Sequence, residues 1–166
     1  MGLKIAQNVS LLGATITTGL MAGLFAAFAY AVMPGLREAS DRTFVEAMQR
    51  INTAILNGWF MTCFAGALLL AVAAVALHIP KSGHAALPWV TAALVLYGVT
   101  FMITGAVNVP LNNALAQAGK PGHPHHLEAV RTAFEAKWVT WNVVRAVTNV
   151  LAFAALAWAL VTSGRG

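Results

Sequence analysis

The sequence has too few charged residues to cover the surface of a water-soluble domain. Lys, Arg, Asp and Glu together make up 9% of its 166 residues, whereas a soluble domain carries roughly 25%. Hydrophobic residues make up 59%, and they occur in long runs. This composition excludes an ordinary soluble protein and indicates an integral membrane protein surrounded by lipid bilayer.

Several kinds of functional motif are also missing. Cys63 is the only cysteine, which excludes an intrachain disulfide and a redox motif built from two thiols. There is no P-loop, no serine-triad signature and no paired-carboxylate site. The net charge of +5 comes from dispersed Lys and Arg without a basic run. No nucleic-acid partner is therefore expected.

Four apolar stretches are long enough to cross a bilayer, which takes roughly 20 residues. They cover about residues 9–33, 54–77, 87–107 and 143–161. Pro34 is expected to end the first stretch, because proline commonly follows the last turn of a helix. The predicted fold is all-α, a single membrane domain over residues 1–166 built as a bundle of four transmembrane helices. Gly19 and Gly23 form a GxxxG motif that suits either packing within the chain or a homo-oligomer.

Two of the three connections are long and contain helical patterns. Ser40 is suited to an N-cap, and Phe44, Ala47, Met48 and Ile51 then repeat at helical spacing. This predicts an amphipathic helix that lies at the membrane interface or folds back on the bundle. Apolar residues also repeat at helical spacing over residues 127–141, and no proline or glycine separates this segment from the fourth span. The fourth helix is therefore predicted to extend beyond its span and project into the cytoplasm.

Charge is distributed unequally between the two ends of the predicted bundle. Seven of the ten Lys and Arg, and all five acids, lie on the side of the long connections. The other side carries Lys4, Lys81 and Arg165. By the positive-inside rule, the long connections are predicted to be cytoplasmic and both termini outside, in a bacterial-type inner membrane.

Polar side chains concentrate at the end of the bundle that carries the long connections. They lead into the second span, end the third and begin the fourth, so an antiparallel bundle brings them together. Trp138, Asn142, Arg145 and Asn149 share one helical face, which should look into the bundle because ionisable groups avoid lipid. Such a donor-rich pocket suits an oxygen-bearing ligand or a developing oxyanion. The alternative is that the asparagines join helices and the arginines reach the headgroups.

A histidine-rich segment precedes the fourth helix. His123, His125 and His126 are interpreted as part of a solvated loop, with a metal site as the lesser alternative, because no fixed ligand set accompanies them. No span has a histidine in its middle, so an intramembrane bis-histidine haem is not expected. No cofactor is predicted.

Four motifs occur in a familiar order. They are "VMPGL" after the first span, "MQRIN" followed by "LNGWFM", "NVPLNNAL" after the third span, and W-x-x-W-N-x-x-R at the start of the fourth. With these motifs the chain resembles the anthrone-oxygenase-like family of small four-helix membrane proteins. The resemblance extends over nearly the whole chain. It implies oxidation of a hydrophobic, anthrone-like aromatic compound by molecular oxygen, without an established cofactor.

The resemblance also implies roles for the polar residues. The predicted catalytic residues are Arg50, Asn108, Asn142 and Arg145. The predicted substrate-binding residues are Asn52, Asn112, Asn113, Trp138 and Trp141. Glu46, Glu135 and His126 are the candidates for a general base. The competing hypothesis is a non-catalytic membrane protein that binds a lipid or a quinone-like ligand or serves as an assembly subunit.

Overall fold

The computed structural model describes residues 1–80, 84–118 and 124–164, with side chains from residue 127 onward in the last range. Within these ranges the chain is helical and contains no strand, which confirms the predicted all-α fold. Lys81, Lys120 and Arg165 lie outside the described residues. The assignment of the long connections to the cytoplasm and of both termini to the outside therefore stays a prediction.

Four long helices form the bundle. The α-helical segments are α1 Gly2–Ala27, α2 Met33–Arg37, α3 Asp41–Ala54, α4 Gly58–His78, α5 Leu87–Ile103, α6 Val109–Gln117 and α7 Pro124–Ser163. A first π-turn, Phe28–Val32, joins α1 to α2, and a second, Thr104–Asn108, joins α5 to α6. The helices Gly2–Arg37, Gly58–His78, Leu87–Gln117 and Leu127–Ser163 are each long and apolar enough to cross a membrane. The four predicted spans, and the extension of the fourth helix beyond its span, are thus present.

Pro34 does not end the first helix as predicted, because both the first and the third membrane helices continue through a proline. An α-helix cannot easily accept an internal proline, since the ring has no N–H and clashes with the carbonyl of residue i−4. Here each π-turn ends two residues before the proline, Pro34 or Pro110. The Met33 N–H donates to Phe28 O, and the Val109 N–H donates to Thr104 O. These i→i−5 bonds widen the turn, and the helix resumes with proline in its first turn.

The four long helices pack as a ring in the order α4, α1, α7, α5. The α1 helix packs closely on α4 and α7, and α5 packs closely on α7, whereas the seam between α4 and α5 is smaller. At Gly19 a Cβ atom would lie 2.9 Å from the ring of Phe153. Gly19 therefore serves close packing between α1 and α7, as small residues do where helices lack a hydrophobic drive to associate.

The amphipathic helix predicted after Ser40 is α3, and it folds against the bundle. The Ser40 Oγ accepts the Thr43 N–H at 3.2 Å and caps the helix. Phe44 and Met48 are fully buried, and the Phe44 ring packs edge-on against Phe134 of α7 at 6.2 Å. The second membrane helix begins at Gly58, later than predicted. Asn57 has an extended backbone that separates α3 from α4, and its Oδ1 caps α4 by accepting the Phe60 N–H at 3.0 Å.

Arg131 of α7 fastens the connection between α2 and α3 to the bundle. Its guanidinium donates to two backbone carbonyls, Arg37 O at 2.8 Å and Ala39 O at 2.9 Å. It also pairs with Asp41 at 3.0 Å and with Glu135 at 2.7 Å. Because the Arg131 side chain is only 14% exposed, it is held in one position, and its charge-assisted bonds fix the position of α3.

Replacing this arginine should loosen the connection. Arg131→Ala is expected to lower the free energy of unfolding by about 2–3 kcal/mol, as loss of hydrogen bonds to charged partners does. Thermal unfolding in detergent measures the change. Arg42→Ala is the matched control, since Arg42 makes only an exposed i,i+4 pair with Glu46; it should cost about 0.3–0.5 kcal/mol. Equal effects of the two changes would contradict the assigned role of Arg131.

Candidate functional site

A cavity of about 260 Å³ lies at the end of the bundle that α3 covers. It is enclosed by α1, by the end of α3 and the residues that follow it, by the third membrane helix and by α7. Its polar lining residues are Gln49, Asn52, Thr53, Thr104, Asn108, Asn112, Asn113, Asn142 and Arg145. Its apolar lining residues are Leu24, Phe25, Phe28, Ile51, Ile55, Leu56, Phe60, Val109, Ala116 and Trp138. The cavity therefore has aromatic walls and a polar set rich in amides.

Arg145 is the one charged side chain in this lining, and it is only 4% exposed. Its Nη2 donates to the Asn142 Oδ1 at 2.9 Å, and its Nη1 donates to the Thr104 Oγ1 at 3.3 Å. The guanidinium carbon lies 4.5 Å from the centre of the Phe25 ring and 5.5 Å from that of Trp138. Neutral amide, hydroxyl and aromatic groups thus hold the cation in place.

Asn142 connects Arg145 to the backbone of α1. Its Nδ2 donates to the Phe25 carbonyl at 3.1 Å, while its Oδ1 accepts from Arg145. Phe25 lies one turn before the first π-turn. A neutral amide can donate and accept at once, so Asn142 fixes the guanidinium relative to the phenylalanine ring beneath it.

Trp138 forms a wall of the cavity, and two residues of the third membrane helix hold it. Its Nε1 donates to the Asn112 Oδ1 at 2.8 Å, and its carbonyl lies 3.5 Å from the Asn108 Nδ2, at the limit of a hydrogen bond. The indole also packs on Phe28 at 5.6 Å and on Phe134 at 6.0 Å. Contacts on both sides fix the orientation of the ring.

Three buried polar atoms of the lining have no hydrogen-bond partner among the described residues. They are the Asn52 Nδ2, the Arg145 Nε and the Asn108 Oδ1. Buried polar groups are normally paired, and leaving one unpaired costs about 1–3 kcal/mol. The lining residues Asn52, Asn108 and Arg145 therefore keep hydrogen-bonding capacity that no described residue uses, although these three atoms are themselves covered by neighbouring atoms.

The charge of Arg145 is not balanced by a carboxylate of the lining. The two acidic candidates for a base are held elsewhere by ion pairs: Glu46 with Arg42 at 2.9 Å, and Glu135 with Arg131 at 2.7 Å. Neither lines the cavity. A buried cation without a nearby anion attracts negative charge on a ligand, because the surroundings screen it weakly.

The structure brings together seven of the nine residues predicted for the site. Asn52, Asn108, Asn112, Asn113, Trp138, Asn142 and Arg145 all line the cavity. Arg50 does not, because it lies two positions after the buried Met48 and so points from the opposite, exposed face of α3. Trp141 does not either, because it is one position before Asn142 on α7 and is rotated away from the cavity.

The sequence reasoning missed the contribution of α1. Phe25 and Phe28 lie in a uniformly apolar run, where hydropathy does not distinguish a cavity wall from any other core position. Thr104 was also missed, although it precedes Asn108 and Asn112 by four and eight positions. That spacing places the three residues near one helical face and is a signal that sequence reasoning can use.

Asn149 shares the inward face of α7 as predicted, but its contacts lie outside the cavity lining. Its Nδ2 donates to the Thr100 Oγ1 at 2.9 Å, and the same hydroxyl lies 2.7 Å from the Thr148 Oγ1. These contacts join α7 to α5. Asn149 therefore holds helices together, which is the role that the alternative reading gave to all the asparagines.

The histidine-rich segment interpreted as a solvated loop is helical at its end, because His125 and His126 lie in the first turn of α7. His123 lies outside the described residues, and the side chains of His125 and His126 are not described. In the part of the chain with described side chains, no group of three or more His, Cys, Asp or Glu is arranged to hold a metal ion.

The lack of a carboxylate partner makes the effect of removing Arg145 predictable. Arg145→Met should leave the free energy of unfolding within about 1 kcal/mol of wild type, because removal of a buried charge from a membrane helix gains about 2.5–3.5 kcal/mol, whereas the Asn142 Oδ1 loses its donor at a cost of about 1–3 kcal/mol. Thermal unfolding in detergent measures it, with Arg131→Ala as the comparison. A loss of about 3 kcal/mol or more would show that Arg145 is a structural residue.

Comparison with known proteins adds one match. A family model described as anthrone oxygenase matches residues 58–155, more than half of the chain. The matched range contains the cavity residues of the third membrane helix and of α7, whereas the walls from α1 and α3 lie outside it. No curated protein and no solved structure matches the chain.

Proposed function

We propose, since the chain belongs to the anthrone oxygenase family, that it oxidises the CH2 group of an anthrone-like aromatic compound to a ketone with molecular oxygen. The observation that carries this proposal is the guanidinium of Arg145, 4% exposed in an aromatic cavity whose lining contains no carboxylate. Such a site favours a ligand that is flat, apolar and able to carry negative charge on oxygen.

The guanidinium of Arg145 would first increase the acidity of the substrate CH2 group. Loss of a proton from the CH2 group of an anthrone converts the ketone into an aromatic enolate, whose charge lies largely on oxygen. A positive charge a few ångströms from that oxygen stabilises the anion more in a cavity than in water. Arg145 therefore serves as the oxyanion partner, and Asn142 positions it.

The reaction with oxygen then balances without a further reductant. The enolate transfers one electron to O2, and the two radicals combine at the former CH2 carbon to give a hydroperoxide after protonation. Loss of the remaining hydrogen from that carbon breaks the O–O bond, forms the second ketone and releases one water. Overall, one anthrone and one O2 give one anthraquinone and one water.

The remaining lining residues suit the binding of a hydroxylated ring system. The Asn52 Nδ2 and the Asn108 Oδ1 are unpaired among the described residues, and rotation of these side chains would present a second donor for an oxyanion or carbonyl and an acceptor for a ligand hydroxyl. Trp138, Phe25 and Phe28 would contact the faces of the rings. The cavity volume, about 260 Å³, is slightly below the roughly 300–1,000 Å³ typical of ligand sites, so one compact aromatic molecule is expected.

No protein base is required if the enolate is sufficiently stabilised. Glu46 and Glu135 are tied in ion pairs outside the cavity, and they are omitted from the proposed mechanism. The proton would instead pass to water of the membrane–water interface at the cavity opening, where the polar side chains of Thr53 and Asn113 are exposed. Arg50 and Trp141, which do not line the cavity, have no role in the proposal.

Turnover is tested by incubating the purified protein in nanodiscs with anthrone and O2. Anthraquinone should form above the uncatalysed rate, with one O2 consumed per product. With ¹⁸O2, one labelled atom should enter the new ketone. Arg145→Met and Asn142→Ala should each lower the catalysed rate by about 10²-fold or more, as removal of oxyanion stabilisation does.

Matched variants keep this test specific. Arg50→Met removes an exposed arginine of the same end of the bundle and should leave turnover unchanged. Activity should also survive dialysis against EDTA, since the proposed reaction uses no metal; its loss would favour the metal alternative at His123, His125 and His126. Wild-type rates in the Arg145 and Asn142 variants would contradict the proposed site.

A second candidate function is non-catalytic binding of a quinone-like ligand. The absence of a carboxylate or imidazole from the described lining favours it, because binding needs no proton acceptor. Binding of anthraquinone without oxidation of anthrone would support this candidate over the oxygenase.

A further inference from the structure

The cavity opens at the surface through its exposed lining residues. We call this set the rim: Thr53, Leu56, Val109, Asn113 and Ala116. All five are uncharged, and the larger aliphatic residues among them are exposed, Leu56 to 70% and Val109 to 42%. An opening lined in this way has little to attract a dissolved ion.

The rim lies between α6 and the connection from α3 to α4. Thr53 is in the last turn of α3 and Leu56 follows that helix, whereas the other rim residues belong to α6, which continues α5. The helix that contains α6, Leu87–Gln117, is long and apolar enough to cross a membrane, and α3 packs against α6. The opening is therefore flanked by a membrane helix on one side and by the residues that lead into another membrane helix on the other.

Exposed side chains that flank the rim along the chain are of the types that contact lipid. Trp59, in the first turn of α4, is 84% exposed, and Met61 and Met102 are 48% and 65% exposed. Exposed tryptophan is typical of the membrane–water interface, and exposed apolar side chains below it are typical of a surface that faces acyl chains. The uncharged rim is thus close along the chain to side chains expected to contact the bilayer.

We infer that the cavity opens sideways into the interfacial region of the bilayer and takes its aromatic ligand directly from the membrane, between Leu56 and Val109. The identity of the ligand rests on the proposed function; the position of the opening does not. Apolar ring systems partition into lipid, and a lateral opening gives them access to Arg145 without passage through bulk water.

The position of the opening is tested by fluorescence quenching. In a Cys63→Ser background, Leu56→Cys is labelled with bimane and the protein is placed in nanodiscs. A nitroxide attached to lipid near the headgroup should quench this label more strongly than aqueous iodide. Leu69→Cys, at a 68% exposed position within α4, is the lipid-side control, and Arg42→Cys, at a 67% exposed side chain on α3, is the water-side control.

The passage of ligand is tested by stopped-flow binding of 1,8-dihydroxyanthraquinone. Leu56→Trp should slow association and dissociation together by about tenfold and leave Kd almost unchanged, as obstruction of an access path does. Leu69→Trp should leave both rates at the wild-type values. Arg145→Met should instead raise Kd, because it alters the site itself.

The outcomes separate this inference from the proposed function. Stronger quenching of the Leu56 label by iodide than by the lipid nitroxide would overturn the lateral opening. So would unchanged binding rates in both Leu56→Trp and the milder Leu56→Phe. If the wild-type protein binds no dihydroxyanthraquinone, the proposed function fails, and the quenching result alone decides where the cavity opens.

Discussion

The guanidinium of Arg145 lies within the membrane bundle among neutral partners, and the rest of the site is arranged around it. Placing an arginine at the centre of a membrane helix costs about 2.5–3.5 kcal/mol even by insertion scales. Asn142, Thr104 and the rings of Phe25 and Trp138 offset part of this cost. None of them neutralises the charge, so the positive field remains available to a ligand.

The two π-turns place the walls around this cation. Each one allows a membrane helix to continue through a proline, so that α2 and α6 extend the first and third helices past the level where they would otherwise end. Phe28 and Asn108, at the beginning of one π-turn and the end of the other, both line the cavity. Single π-turns in α-helices are frequently found at functional sites, and here both adjoin the same cavity.

Much of this arrangement follows from the sequence. Hydropathy predicted four spans, the Ser40 cap predicted α3, and the spacing of Trp138, Asn142, Arg145 and Asn149 predicted the inward face of α7. The helix end at Pro34 was mispredicted because proline normally stops a helix, and a π-turn has no sequence signature of comparable strength. Arg50 and Trp141 were grouped by proximity along the chain, whereas rotation about the helix axis determines which side chains meet. Phe25 and Phe28 could not be predicted as cavity residues, since the sequence pattern of a buried aromatic residue is the same whether its ring faces the core or a cavity.

The central claim is that Arg145 stabilises the anionic form of a bound aromatic ligand, and the ligand's own ionisation tests it most directly. The absorbance of bound 1,8-dihydroxyanthraquinone shifts when a phenol loses its proton, so titration in nanodiscs yields the pKa of the bound phenol. A positive charge favours the anion, so the pKa in the wild-type protein should fall below its value in Arg145→Met by about 1 or more. An equal pKa in both proteins, at ligand concentrations that saturate each of them, would contradict the account.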